Sequence, residues 1–154
     1  MSIMAEVTVL STLPCHIAAL NMRDADKSEI EAAGLRPGQA LWRSYRHSFF
    51  SRTALVGKDV AAIWGLGGSP MGRIGNPWLL TAPPVEKVKH TFIRKGRSEV
   101  AEMLTICPTL VGVVDAKYLK AIRLLEMLGF EMDEPLPFGA HGAPFRRYHI
   151  ERPE

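Results

Sequence analysis

The chain has 154 residues, 47% of them hydrophobic and 23% charged, which is ordinary for one soluble globular domain with a core of its own. Its formal charge of +3 is too modest for a dedicated nucleic-acid binder, so nucleic acid is not an expected partner. No apolar run approaches the ~18 residues of a membrane span, which argues against a membrane partner.

The first ten residues carry no basic flank ahead of their apolar stretch, so they do not read as a secretory signal, and a cytoplasmic location is expected. Val7 to Leu10 is a candidate first strand. Pro14 to Leu20 predicts a short helix, since proline is tolerated in a first turn. Asp26 with Glu29 three residues on resembles a capping box that starts a second helix, which Gly34 ends. A third helix is expected from Pro37 to His47, with Ala40, Leu41 and Tyr45 on its apolar face. Cys15 and Cys107 have no CxxC or Cys/His spacing and read as a buried pair of free thiols.

Thr53 to Val56 and Val60 to Gly65 flank Gly57-Lys58-Asp59, which is turn chemistry, and predict a hairpin. Gly65 to Asn76 holds five glycines and a proline and is expected to be loop. Its Gly65-to-Pro70 part lacks both the P-loop lysine and dinucleotide spacing, so it reads as a hairpin connection able to serve as a substrate-side lid. Trp78 to Leu80 is a short strand. Pro83 and Pro84 open a long helical region reaching about Ile106, with Gly96 as a point of bending or division.

Thr109 to Phe130 is the clearest unit. Leu110 to Val114 is apolar and β-branched, as in a strand buried on both faces. Asp115 is a helix N-cap candidate. Tyr118, Ala121, Ile122, Leu125 and Leu128 then share one helical face, and Lys117, Lys120, Arg123 and Glu126 share the other. Gly129 closes the helix, and Phe130 to Met132 is extended. A Pro/Gly-rich connection leads to a last strand, Phe145 to Ile150. The fold class is therefore α/β (α+β), a mixed sheet with helices on both faces. Nothing in residues 1–154 reads as a linker, and one domain is expected.

Five histidines are scattered, and none but His141 and His149 share metal-ligand spacing, so no metal is expected. Arg43, Arg46, His47 and Arg52, interleaved with Trp42, Tyr45, Phe49 and Phe50, read either as a base-stacking surface or as an amphipathic helix with snorkelling arginines.

The element order, together with Ala121-Ile122 followed by a helical turn and Gly129-Phe130, resembles the GNAT N-acetyltransferase superfamily and its fourth-helix signature. Within it the chain is similar to small GNAT-like proteins of tailed phages and prophages. That likeness rests on Pro77 to Thr81, Val114 to Ala116 and the Gly142-to-Arg147 tail. The resemblance implies a GNAT-like, largely antiparallel central sheet and an acetyl-CoA cofactor. It also implies an amine or protein acceptor and main-chain groups of Leu79, Leu80 and Thr81 holding the pantetheine. Catalysis would rest on proximity.

The family's glycine-rich phosphate loop falls on Thr81 to His90, where this chain has two prolines and no glycine. The basic run Lys87, Lys89, His90, Arg94, Lys95 and Arg97 either supplies a phosphate site in its place or is a solvated helix face. Lys89, His90 and Arg94, with Thr81, are the cofactor-binding candidates. Leu125 stands at the position of the family's frequent helical tyrosine, and Tyr118 at that of a common asparagine. Tyr118 is either the acid that protonates a departing thiolate or a core aromatic. No glutamate stands on the Trp78 strand to act as base. The alternative implied by the same resemblance is a non-catalytic GNAT-fold protein in phage virion assembly or host-protein binding.

Overall fold

A computed structural model describes residues 7–68 and 71–154. Residues 1–6 of the leading segment, and Ser69 and Pro70 of the glycine-rich run, lie outside the described residues. The chain opens with β1 (Val7–Ser11), then three helices, α1 (Pro14–Ala19), α2 (Asp24–Ala32) and α3 (Pro37–Arg46). The strands β2 (Phe50–Val56), β3 (Asp59–Gly68) and β4 (Ile74–Thr81) follow. A 3-10 turn, Pro83–Val88, leads into α4 (Lys89–Ile106), β5 (Thr109–Asp115) and α5 (Leu119–Met127). The short strands β6 (Glu131–Met132) and β7 (Leu136–Phe138) precede β8 (Ala143–Glu151).

The sheet runs β1-β2-β3-β4-β5-β8-β6, with β7 also on β8. Every pairing is antiparallel except β4 with β5. α1 to α3 cover one face, over a core containing Ile17, Met22, Leu41, Ile63 and Leu80. α4 and α5 cover the other, over Leu66, Met103, Leu110, Ile122, Phe130 and Tyr148. Cover on both faces explains why Val60 to Leu66 is apolar at every position except Gly65, without the alternation of a half-exposed strand.

Several local expectations are corrected. Gly65 lies in strand, as the predicted Val60-to-Gly65 strand had it, and Gly67, Gly68, Gly75 and Asn76 are also strand residues of β3 and β4 and not loop. Gly65 sits there because the Trp78 ring crosses it, and a methyl group would stand 2.7 Å from that ring. α4 is one unbroken helix through Gly96, where a side chain would meet Leu128 of the α5 end at 2.8 Å. Part of the Pro/Gly-rich connection pairs with β8 as β7. Cys107 is buried, but Cys15 is exposed.

Asp115 does not cap α5. It ends β5, its Oδ1 accepts the Lys117 N–H at 2.9 Å, and the helix starts after Tyr118. The far end of α5 follows the sequence reading: Gly129 takes φ +101°, and Phe130 and Gly129 donate to the Leu125 and Glu126 carbonyls at 3.0 Å. That is the Schellman arrangement. In the aromatic-basic stretch, Trp42 and Tyr45 pack on the core and Arg46 lies over Trp42, as in an amphipathic helix. Arg52 pairs with Glu99 and Glu102.

Candidate active site

β4 and β5 pair at Ile74–Thr109 and Gly75–Leu110 and then part. Asn76 Nδ2 donates to the Val111 carbonyl at 3.0 Å across the start of the gap. Beyond it the strands diverge around a cleft of about 1290 Å³. Tyr148 holds the gap from below. It pairs with Gly112 on β5, its ring crosses that glycine, and its hydroxyl donates to the Pro77 carbonyl of β4 at 3.3 Å. Any side chain at Gly112 would overlap the Tyr148 hydroxyl.

The open edge of β4 can be read residue by residue, because neighbouring positions of an antiparallel pair alternate in which way their N–H and C=O point. Ala82 donates to Ala61 at 2.8 Å, so Leu80, two residues back, also spends its main chain on β3. Pro77, Leu79 and Thr81 therefore face β5. Pro77 has no N–H, and its carbonyl is held by Tyr148. The Thr81 carbonyl accepts from the Arg23 N–H at 3.0 Å, and its N–H and hydroxyl donate to Asp26 at 2.9 and 2.8 Å. Of the three residues expected to offer main-chain groups, Leu80 and Thr81 are thus already engaged. Among the described residues the N–H and C=O of Leu79 have no partner, and they face the cleft.

The capping-box reading of Asp26 and Glu29 is overturned here. α2 starts two residues before Asp26, and the i, i+3 spacing puts both carboxylates on one face. Asp26 takes the Thr81 N–H at the end of β4, and Glu29 Oε2 takes the Asp115 N–H at 3.1 Å at the end of β5. One helix thereby caps both parted strands. Burial pushes the Glu29 carboxyl up to about 7; the Asp115 N–H works against this, and the charges of Asp26 and Asp115 add to it. Tyr118, half-buried beside them, keeps its proton well above the ordinary phenol range, through burial first and then the charge and hydrogen bonding of Asp26. Burial likewise holds the Tyr148 phenol protonated.

Beside Tyr118 and Asp26 the cleft is cationic. Lys89, Lys120, Arg123 and Arg23 line it together with Glu86, which pairs with Arg23 and Lys89 at 2.8 Å each. Of the candidates read from sequence, Leu79, Leu80, Thr81, Lys89 and Tyr118 line the cleft, whereas His90 and Arg94 do not. Helical geometry explains the split: Lys89, Phe92 and Ile93 share the cleft face of α4, and His90 and Arg94 are an exposed i, i+4 pair turned from it. Glu29, Lys120 and Arg123 were missed. The first was taken for a cap, and the other two for the solvated face of α5.

No family model and no curated protein matches the sequence. The fold is that of the GNAT acetyltransferases. Among solved structures, the spermidine N-acetyltransferase of Vibrio cholerae, in complex with CoA and spermine, aligns with TM-score 0.68 and 15% identity over 95% of each chain. A GNAT-family acetyltransferase from Bacillus anthracis aligns with TM-score 0.68 and 9% identity over 96% of each chain. An aminoglycoside acetyltransferase in complex with coenzyme A aligns with TM-score 0.66 and 17% identity, over 96% of this chain and 95% of that one.

Proposed function

We propose that the chain is an acetyl-CoA-dependent N-acyltransferase of the phage or prophage type that its sequence resembles, working in the cytoplasm on an amine acceptor. The observation that carries this reading is the open main-chain edge at Leu79, which lines one cleft with the cations Lys89, Lys120 and Arg123 and with a carboxylate whose pKa is about 7. The residues present fit the coenzyme. Leu79 N–H and C=O match an extended amide-bearing arm, as one strand edge matches another. Lys89, Lys120 and Arg123 supply charge-assisted hydrogen bonds to phosphates, in place of the glycine-rich amides that Pro83 and Pro84 rule out.

Bound acetyl-CoA supplies the activated acyl group. Glu29 takes the proton from the incoming ammonium, for which a pKa near the working pH is well matched. Tyr118 keeps its own proton, and its single O–H turns from Asp26 to the departing sulfur as a hydrogen-bond donor. A thiol with a pKa of about 8.5 is more acidic than this phenol, so the proton that ends on sulfur comes by way of Glu29. Asp26 holds Thr81 and steadies Tyr118.

Calorimetric titration with acetyl-CoA tests the reading. Saturable binding is expected, weakened about tenfold by Lys89→Glu and unchanged by Arg94→Glu, since Lys89 lines the cleft and Arg94 does not. Absence of binding at millimolar ligand sinks the enzyme reading. It would leave the second one, a non-catalytic GNAT-fold protein in virion assembly or host-protein binding. That reading is favoured by the Pro83–Val88 turn standing where a phosphate loop would be.

A further inference from the structure

On the α2 side of the parted strands the cleft has a different character from its mouth. Val111 and Val113 of β5 point to this side, because Leu110 and Val114 belong to the core beneath α4 and α5. Ile30, Ala33 and Leu35 face them from α2 and its exit. Phe138 adds a ring stacked at a tilt on Phe145, 5.1 Å between centroids. Leu35, Val113 and Phe138 stay 53%, 38% and 42% exposed, an apolar lining left in water. Nearby, the β7–β8 turn meets the end of α2. Gly34 and Gly139 hold φ of +85° and +75° there, and a methyl group on Gly139 would stand 2.8 Å from the Ala33 carbonyl.

Charge is sparse in this chamber. Among the described lining residues the carboxylates are Asp26, Glu29 and Glu86. Asp26 is engaged by Thr81, and Glu86 by Arg23 and Lys89. Neither Asp26 nor Glu29 pairs with a cation among the described residues, but Asp26 is filled by Thr81 and Tyr118, whereas Glu29 spends one oxygen on the Asp115 N–H and keeps the other. Arg147, at the rim, is paired with Asp133 at 3.4 Å and adds positive charge. A polycation entering here would find one carboxylate oxygen still open, on Glu29, for several ammonium groups, and would leave the others against valine, leucine and phenylalanine, which is costly.

Resting on the acyltransferase reading, we infer that the acceptor is a primary amine with a single positive charge and a compact apolar or aromatic body. Its ammonium meets Glu29, and its body lies among Leu35, Val113 and Phe138. In the transfer, the ammonium gives one proton to Glu29, which releases it to solvent; the free amine then attacks the thioester carbonyl carbon, the C–N bond forms as the C–S bond breaks, and the second nitrogen proton passes by way of Glu29 to the leaving thiolate.

The test is a pair of probe amines, 2-phenylethylamine and spermidine, assayed for acetylation with the full chain, beside calorimetry with acetyl-CoA. kcat/KM for 2-phenylethylamine is expected to exceed that for spermidine by about tenfold or more. Leu35→Asp and Phe138→Asp, each at a half-exposed position, are each expected to raise KM for 2-phenylethylamine about tenfold and leave acetyl-CoA affinity as it is. Preference for spermidine, no acetylation of either amine by protein that binds acetyl-CoA, or unchanged KM in both variants overturns the inference while the coenzyme reading stands. Loss of acetyl-CoA binding in the unmodified chain overturns both.

Discussion

The two edges of β4 meet very different fates. Toward β3 seven residue pairs run in register from Ala62–Thr81 to Gly68–Gly75, whereas toward β5 the ladder stops after two. The same strand, with the same sequence, is saturated on one side and open on the other. What differs is the neighbour. On the open side a proline removes one donor, a tyrosine from β8 takes one carbonyl, and α2 takes the last N–H and C=O with Asp26 and Arg23. A site arises here by withholding pairing, and on this edge of β4 all of the withheld groups but the N–H and C=O of one residue are satisfied from elsewhere, as buried backbone requires. Leu79 is the exception, and that makes it the place for a ligand.

The largest test of this contrast is Glu29→Gln. The amide oxygen still accepts the Asp115 N–H, so the parted strands stay capped and the fold, read by circular dichroism, is expected to be unchanged. kcat/KM is expected to fall about 10²- to 10⁴-fold with the loss of the base. In the unmodified chain kcat/KM should climb as pH rises through about 7, where Glu29 loses its proton, and the Gln variant should lack that rise. Stability should move the other way. The folded pKa lies above the ordinary 4.5, so the stabilisation linked to Glu29 is complete below that value and is lost as pH rises through about 7. Melting temperature relative to Glu29→Gln should therefore drop between those two pH values.

Next in size is Asp26→Ala, which strands the Thr81 N–H and hydroxyl. A loss of about 1–3 kcal/mol is expected from denaturant unfolding, with amide exchange at Thr81 rising and that at Ala82, bonded to Ala61, holding. No loss of stability would show that the open edge needs no cap. Smallest is Tyr148→Phe, which removes the hydrogen bond to Pro77 and keeps the ring over Gly112. About 1 kcal/mol is expected, with weaker acetyl-CoA binding by calorimetry.

Much of the architecture was legible because it is written in local pattern. The β-branched run before Asp115, the spacing of Ala121, Ile122, Leu125 and Leu128, and the Gly129 stop each settle their own element, and the packed helix agrees with them. The glycine-rich stretch misled for a physical reason. Gly75 is glycine because Leu66 and Cys107 pack against its backbone, and no local rule distinguishes that from a turn. The site was less legible still. Asp26 and Glu29 form a plausible cap by spacing, and only the arrival of Thr81 and Asp115, residues 55 and 86 positions away along the chain, turns them to another use. Lys120 and Arg123 read as solvated because they are; the solvent they face is that of the cleft mouth. His90 and Arg94 were drawn in by charge alone, and helical rotation of about 100° for His90 and about 140° for Arg94 separates them from Lys89.

Tyr148 has a mechanical consequence. Its phenol is a spacer of fixed length between two strands that would otherwise be free to go on pairing, since the glycine beneath it leaves room for nothing else. The width of the opening is therefore set during folding, by a single covalent ring, and does not wait for an occupant. A molecule entering between β4 and β5 meets strands already apart, and its affinity is not reduced by the work of separating them.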